Sequence, residues 1–565
     1  MARTISIGRQ DFAEIRENQY FFIDKTELIE QWWESGDAIT LITRPRRFGK
    51  TLNLSMMNYF FSNQYKNRGD LFEGLEVWER EFYRKMQGTY PVLFISFADV
   101  KQATYGDAVA KLKNIIVAQY SQYAFLEDSD QLTTTEKQQF RTVTYNMDDV
   151  TAQDAIKNLC IYLERYYGKK VLIFLDEYDT PMQEAYVHGY WDAFAAFMRG
   201  MFNAIFKTNP SLERALMTGI TRISRESMFS DLNNLNVITT TSKEYMTCFG
   251  FTEEEVFAAL EEMNLTGERE VVKKWYDGFT FGTQKDIYNP WSITNFLDKR
   301  EYATYWVDTS SNRLVSDLIR RADSGIKEEF QILMQEGTLD KILDEQIAFD
   351  ELDQEENAIW SLLLASGYLR VAEVKLDSRT RQKICSLKIT NFEVMLMFER
   401  MIKRWFGKVT SNYNDFVKAL LLADVEAMNY YMNRIALATF SSFDTGKRES
   451  EYTEPERFYH GFVLGLLVEL REEYMIRSNG ESGLGRYDIM LIPRKNDNKM
   501  SGIVMEFKVR NTKREATLED TVQVALAQIE ERQYDTVLLE MGIPKDCIRH
   551  YGFAFEGRRV VIGGE

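Results

Sequence analysis

The stretch Arg44-Pro-Arg-Arg-Phe-Gly-Lys-Thr51 lies between an apolar run, Ala38-Ile-Thr-Leu-Ile-Thr43, and Leu52-Asn-Leu-Ser-Met-Met-Asn-Tyr-Phe-Phe61. Strand, tight loop, Gly-Lys-Thr and helix is the layout of a phosphate-binding loop. Backbone N–H groups at the helix start wrap a phosphate, and the helix dipole favours its charge. In that layout Lys50 reaches the β/γ-phosphates and the Thr51 hydroxyl ligates Mg²⁺. The full pattern G-x-x-x-x-G-K-[ST] wants a first glycine where Arg44 stands. A second stretch strengthens the reading: Lys170-Val-Leu-Ile-Phe-Leu-Asp-Glu177 is an unbroken apolar run ending in two acids. A fully buried parallel strand reads this way, with Asp176 at its carboxyl end for Mg²⁺ and Glu177 to polarise water. The plainer alternative is a core strand ending in a capping acid.

A second constellation lies in the last ~110 residues. Phe458, Phe462, Gly465 and Glu469 fall on one helical face, so an acid ends an apolar stripe. An unpaired buried carboxylate is costly, and a metal ion or a basic partner would offset that cost. Alternation in Gly485-Arg-Tyr-Asp-Ile-Met-Leu-Ile-Pro493 puts Asp488 and Met490 on one face. In Gly502-Ile-Val-Met-Glu-Phe-Lys-Val509, Val504, Glu506 and Lys508 share a face, near Asp488 if the two strands form a hairpin. Thr517 caps a following helix that carries Gln528. An E-x-K on an exposed sheet face is usually an ion pair of little worth; Asp488, Glu469 and Gln528 in order around it are what argue for chemistry.

Three segments, Tyr20-Phe-Phe-Ile-Asp-Lys-Thr26, Arg44-Pro-Arg-Arg-Phe-Gly-Lys-Thr-Leu52 and Asp176-Glu-Tyr-Asp-Thr-Pro181, closely resemble the AAA-ATPase-like family of bacteria. Its members carry arginines where other phosphate loops have glycine, so Arg44 departs from the general motif but not from this family. The resemblance implies a nucleotide-contacting set of Arg44, Arg46, Arg47, Phe48, Gly49, Lys50, Thr51, Leu52 and Asp176. The strand Arg214-Ala-Leu-Met-Thr-Gly-Ile-Thr-Arg222 follows the Asp176 strand. In such ATPases it ends in a polar sensor of the γ-phosphate, here Thr218, Thr221 or Arg222, and an arginine there can stabilise transition-state charge. Likewise, Gly-Arg-x-Asp, Glu-Phe-Lys and Gln-Ile-x-x-x-x-Tyr on paired strands and a helix resemble the PD-(D/E)XK nuclease superfamily. That resemblance implies Mg²⁺ (with Mn²⁺ as a substitute) on Asp488 and Glu506, hard oxygen ligands. Glu469 would bind metal directly or through water, Lys508 would orient water or neutralise the scissile phosphate, and Gln528 would orient the lysine or substrate. Tyr487 stands where the proline of the PD motif would be.

The 565 residues suffice for three or four domains of ordinary globular composition, 45% hydrophobic and 27% charged. No run approaches the ~18 apolar residues of a membrane span, and the charged N-terminus does not read as a signal peptide; a cytoplasmic protein without membrane contact is expected. Four dispersed cysteines and three histidines argue against a zinc site, a disulfide framework or multi-histidine chemistry. A net charge of −17 argues against a protein coated for non-specific nucleic-acid binding, though not against a local basic groove.

Strands alternating with helices imply an α/β fold with a parallel sheet and crossover helices. A buried strand is expected at 90–99, a helix over Tyr105–Tyr120, and a long helix capped by Thr151 and ending at Tyr167. We read residues 1–245 as an AAA-like P-loop domain and 246–300 as a helical lid, or simple domain packing, opened by a Thr252/Glu255 capping box. Residues 301–445 read as a helical, winged-helix-like region and 450–565 as an α/β restriction-endonuclease-like domain. The charged turn Lys375–Lys383 of the winged region would either touch a nucleic-acid backbone or serve as a spacer or protein contact.

The leading expectation is an ATP-binding and ATP-hydrolysing protein whose metal-dependent nuclease is under nucleotide control, with nucleic acid as partner, DNA ahead of RNA, and with a role in defence against foreign nucleic acid. The alternative is a nucleotide-switched signalling or scaffold protein whose C-terminal domain binds without cleaving. A phosphotransferase leaves the C-terminal residues without a role. An arginine supplied in trans, such as Arg222 or Arg225, would require a homo-oligomer.

Overall fold

A computed structural model describes residues 3–221, 232–307, 324–334, 336–343, 356–377, 381–405, 410–439, 473–478, 480–494, 500–557 and 559–564, with a few isolated positions between them. Arg222, Arg225, Phe458, Phe462, Gly465 and Glu469 lie outside the described residues. The chain divides into two compact units, one of residues 1–315 and 336–395, the other of 316–335 and 396–565.

The first unit is built on a parallel sheet of five strands in the order β2-β3-β4-β1-β5: β1 (Ile39–Thr43), β2 (Val92–Ser96), β3 (Val171–Asp176), β4 (Leu212–Gly219) and β5 (Leu235–Ile238). All residues of β1 and β3 are buried, as apolar runs covered on both faces require. Register pairs Ile42 with Thr218 and Ser96 with Asp176, so the carboxyl ends of β1, β3 and β4 converge. Helices α1 (Phe12–Glu17), α2 (Glu27–Ser35), α3 (Lys50–Phe61), α4 (Tyr105–Gln122) and α5 (Asp149–Tyr167) belong to this sheet's layers. The start of α5 differs from expectation. Asp148 is the N-cap, accepting from the Thr151 N–H at 2.8 Å, because the helix begins at Asp149 and Thr151 already lies in its first turn.

The segment 246–300 is not wholly helical. A three-stranded sheet, β6 (Phe251–Thr252), β8 (Gln284–Tyr288) and β7 (Phe279–Phe281) in that order, is set among α6 (Glu253–Glu262), α7 (Arg269–Tyr276) and α8 (Pro290–Lys299). Aromatic residues hold it: Phe48 of the phosphate loop meets Phe279 and Phe281 edge-on, with centroids 4.8 and 5.3 Å apart. The Thr252/Glu255 capping box is present.

Further along, α9 (Glu356–Ala365) is followed by an antiparallel hairpin of β10 (Leu369–Leu376) and β11 (Lys383–Ile389). A third strand that periodicity does not reveal, β9 (Leu339–Ile342), pairs with β11. Gly367, at φ 84°, lets the chain after α9 lie on the phosphate loop; a Cβ there would meet Pro45 at 2.8 Å. The helix α10 (Phe392–Trp405) begins in the first unit and ends in the second.

The second unit holds a mixed sheet in the order β12 (Tyr474–Ser478), β13 (Ile489–Pro493), β14 (Gly502–Val509), β15 (Ile548–Glu556), β16 (Arg559–Gly564). Only β14 and β15 run parallel. Helices α11 (Thr410–Leu422), α12 (Val425–Thr439) and α13 (Leu518–Glu531) accompany it, the last capped by Thr517 as expected. Among the described residues no helix is long and apolar enough to cross a membrane.

Candidate functional site

At the carboxyl end of the parallel sheet, β1 turns into α3 through a loop that needs left-handed backbone. Gly49 has φ 80° and Arg47 has φ 65°. Glycine takes that conformation without steric penalty; an arginine takes it at a cost. The Lys50 ammonium donates to Arg44 O at 2.9 Å and to Pro45 O at 2.8 Å, folded against its own loop. Burial pushes it down to about 8, opposed by Glu177, Asp176 and Asp179.

Across the loop, Asp176 at the end of β3 is 1% exposed and receives two hydroxyls, Thr51 Oγ1 and Thr218 Oγ1, each at 2.7 Å, one on each carboxylate oxygen. Burial raises its affinity for a proton, and the two hydroxyls oppose that rise. A buried carboxylate bonded to a helix-start hydroxyl is an oxygen donor set that suits Mg²⁺. Glu177 follows with φ 52°, and its Oε2 accepts from Thr180 Oγ1 at 3.0 Å.

These residues line a cavity of about 450 Å³, within the size range of small-molecule sites. Arg46, Arg47, Phe48, Gly49, Lys50, Thr51, Leu52, Asp176 and Glu177 all reach it. The N-terminal segment also lines it, through Phe21, Phe22, Ile23 and Lys25.

Two members of the expected set sit elsewhere. Arg44 is fully buried, and its guanidinium donates to the carbonyls of Thr43, Thr239 and Tyr245 while stacking 4.6 Å from the Phe281 ring. With no acceptor but carbonyls, burial lowers it to about 10. It braces the loop from behind instead of facing the cavity. Thr221, one of three sensor candidates, is taken up by Asp179, whose Oδ2 accepts from Ile220 N (3.0 Å), Thr221 N (2.8 Å) and Thr221 Oγ1 (2.9 Å). Thr218 is the candidate that meets Asp176. Asp179 closes the Asp176-Glu-Tyr-Asp179 stretch, but nothing in that local pattern marks it as the acceptor for Ile220 and Thr221. Asn289 and Trp291 at the start of α8 lie in Ile287-Tyr-Asn-Pro-Trp-Ser292, whose Asn-Pro marks a helix start but assigns neither residue a place at the cavity.

In the second unit, β13 and β14 pair as a hairpin with Ile489 opposite Met505, which puts Asp488 and Glu506 next to the last paired residues. Gly502–Phe507 are all buried, so Glu506 occupies a central strand rather than an open face. Its side chain is 2% exposed against 25% for Lys508, whose Nζ donates to Glu506 Oε1 at 3.1 Å. The Gln528 amide from α13 donates to the same oxygen and to the Tyr534 hydroxyl, which in turn donates to Arg486 O at 2.6 Å. Asp488 Oδ2 accepts from Phe507 N at 2.7 Å. Burial raises the affinity of Asp488 for a proton, opposed by the Phe507 N–H, then by the charge of Lys508 and hydrogen bonding with Glu506. Two carboxyl groups in contact in a buried place need a proton or a cation between them, and that is the fit such a pair offers to a divalent metal. Among the described residues no three His, Cys, Asp or Glu side chains gather as a metal cluster. Tyr487 packs in the core with Met490, Val504, Ile529 and Tyr534, consistent with a position that does no chemistry.

Comparison with known proteins agrees with both halves. Residues 6–229 match the family described as Predicted AAA-ATPase, and residues 454–565 match the PD-(D/E)XK nuclease superfamily. The chain is also similar to an uncharacterized protein in the vnfD 5' region of Azotobacter chroococcum mcd 1, 27% identical over 397 residues, covering 69% of this chain and 68% of that one. One chain therefore carries an AAA-ATPase-like domain and, at its C-terminus, a PD-(D/E)XK nuclease superfamily domain.

Proposed function

We propose that this protein binds and hydrolyses ATP and cleaves nucleic-acid phosphodiester bonds with a divalent metal, the first activity controlling the second. The observation that supports the reading is a pair of polar sites: Thr51 and Thr218 on Asp176 in one unit, and Lys508 and Gln528 on Glu506 beside Asp488 in the other. Lys50 would leave its loop carbonyls for the β/γ-phosphates, and Thr51 with Asp176 would hold Mg²⁺. Glu177 would orient the attacking water, with Thr218 keeping Asp176 ionised and aimed. In the nuclease domain Asp488 and Glu506 would hold Mg²⁺ or Mn²⁺. Bound there, such an ion lowers the pKa of water and stabilises charge on the phosphate. Lys508 would place its charge on the scissile phosphate, held by Glu506 until substrate arrives, while Gln528 fixes Glu506. DNA is the substrate to try before RNA, and defence against foreign nucleic acid is the role we favour.

The test is direct. The protein is incubated with linear, circular and single-stranded DNA and with RNA, in Mg²⁺ or Mn²⁺, with and without ATP. Lys508→Ala should abolish cleavage and leave ATP binding intact; Lys50→Ala should abolish ATP binding and alter cleavage. Cleavage that survives Lys508→Ala would sink the nuclease assignment. The acidic charge of −17 favours the second reading, a nucleotide switch that binds without cutting. That reading requires bound ATP, an ATP-dependent change in light scattering, and no cleavage under any of these conditions.

A further inference from the structure

Arg47 is exposed on the phosphate loop and lines the cavity. Its backbone is left-handed, at φ 65°, where glycine would sit without strain. Among the described residues no carboxylate pairs with it; its guanidinium lies 4.5 Å from the centroid of the Trp291 ring. That ring is itself fixed. Trp291 Nε1 donates to Tyr305 O at 3.2 Å, and its backbone N–H donates to Asn289 Oδ1 at 2.9 Å. Asn289, fully buried, caps α8 and donates from Nδ2 to Arg46 O at 3.3 Å. The start of α8 thus grips two successive loop residues, one by its backbone and one by its side chain, and Trp291 faces the same cavity.

We infer that Trp291 is a positioning residue of the nucleotide site: its ring presents the Arg47 guanidinium to the phosphates, which makes α8 the element that registers an occupied site. The inference rests on the nucleotide reading above. A ring face holds a guanidinium weakly, whereas a phosphate holds it through paired charge-assisted hydrogen bonds. A phosphate in the cavity therefore competes with the ring for Arg47 and wins. Until then the ring keeps a flexible side chain in the cavity wall instead of in bulk solvent, so less order is lost when the phosphate arrives. An arginine already in the loop also supplies from this chain the charge that other ATPases take from a neighbour.

Hydrolysis and binding are measured separately on the full chain. Arg47→Ala should lower kcat on the order of 10³-fold, and Arg47→Lys should fall with it, because an ammonium lacks the planar fork. Trp291→Leu should lower kcat about tenfold with KM nearly unchanged, while Trp291→Phe, which keeps a ring face, should recover most of the rate. A purely structural role would move melting temperature instead of this kcat-against-KM split. The second readout is intrinsic fluorescence: a slowly hydrolysed ATP analogue should change it, and the change should vanish in Trp291→Phe and in Arg47→Ala. Since Arg47 is exposed, its variants test the idea even if Trp291→Leu does not fold. A normal kcat in Trp291→Leu, or a full fluorescence change in Trp291→Phe, overturns the inference. Absence of labelled-ATP binding to the unaltered protein overturns the nucleotide reading with it; binding that Lys50→Ala removes, beside an indifferent Trp291→Leu, overturns this inference alone.

Discussion

A hydroxyl on each oxygen of Asp176 makes Thr218 a residue whose loss should be felt twice. Thr218→Val keeps the shape but leaves one buried carboxylate oxygen without its donor. Unfolding by denaturant should show a loss of about 1–3 kcal/mol, and ATP hydrolysis should fall while labelled-ATP binding survives. An unchanged hydrolysis rate would remove Thr218 from the site. Glu393 offers a different handle. It is fully buried, with Oε2 accepting from Ser292 Oγ at 2.8 Å and Oε1 from Trp306 N at 2.6 Å. Burial pushes its carboxyl from 4.5 up to about 7, although the hydrogen bonds pull the other way. Between those two values the folded protein holds a proton that the unfolded chain has released. Stability from this group is therefore complete below about 4.5 and lost as pH rises through about 7. Glu393→Gln removes the titration and keeps the shape. Its unfolding free energy, measured across this window, should vary less with pH than that of the parent.

At the scale of elements, the most instructive contact is between α12 and the outer strand β16. Asn429 donates to Ile562 O at 2.7 Å and accepts from Ile562 N at 2.8 Å; Asn433 does the same with Val560, at 2.6 and 3.0 Å. Two amides one helical turn apart thus satisfy the edge of the nuclease-like sheet, an edge that would otherwise invite pairing with another chain. Replacing both by alanine should destabilise this unit by about 2–4 kcal/mol and promote self-association, read by denaturation and light scattering. No local pattern announces this pairing, because the partners are more than 120 residues apart. The loop at 44–51, the Asp176 strand and the β13–β14 hairpin were legible for the opposite reason: each is a local run whose burial and turn chemistry agree. The inward turn of Arg44 was not legible, since its acceptors are carbonyls near 239–245. Nor were β7, β9 and β12: β9 is recruited by β11, distant in the chain, whereas β7 and β12 pair with nearby β8 and β13 but are too short to show alternation. Tyr534 lies between these cases: the Gln-Ile-x-x-x-x-Tyr spacing is visible, but its bond to Arg486 O is tertiary.

For the whole molecule, the division into units passes through the chain three times, at 315/316, 335/336 and 395/396, the last inside α10. Each unit has its own sheet and its own candidate site, so ligands should stabilise them separately. A ligand that binds only the folded form, at a hundred times its Kd, adds about 2.7 kcal/mol to the part that binds it. Calorimetry of the full chain should therefore show two transitions. ATP with Mg²⁺ should raise the one belonging to residues 1–315 and 336–395, and Lys50→Ala should cancel that rise. Mn²⁺ without nucleotide should raise the other, and Glu506→Gln should cancel that one. If ATP raised both transitions equally, the three chain crossings would be coupling the units tightly, and the nuclease domain would feel nucleotide through stability itself. If ATP raised only the first while still altering cleavage, control would have to act on substrate access instead, and the start of α8 and the length of α10 would be the places to look for it.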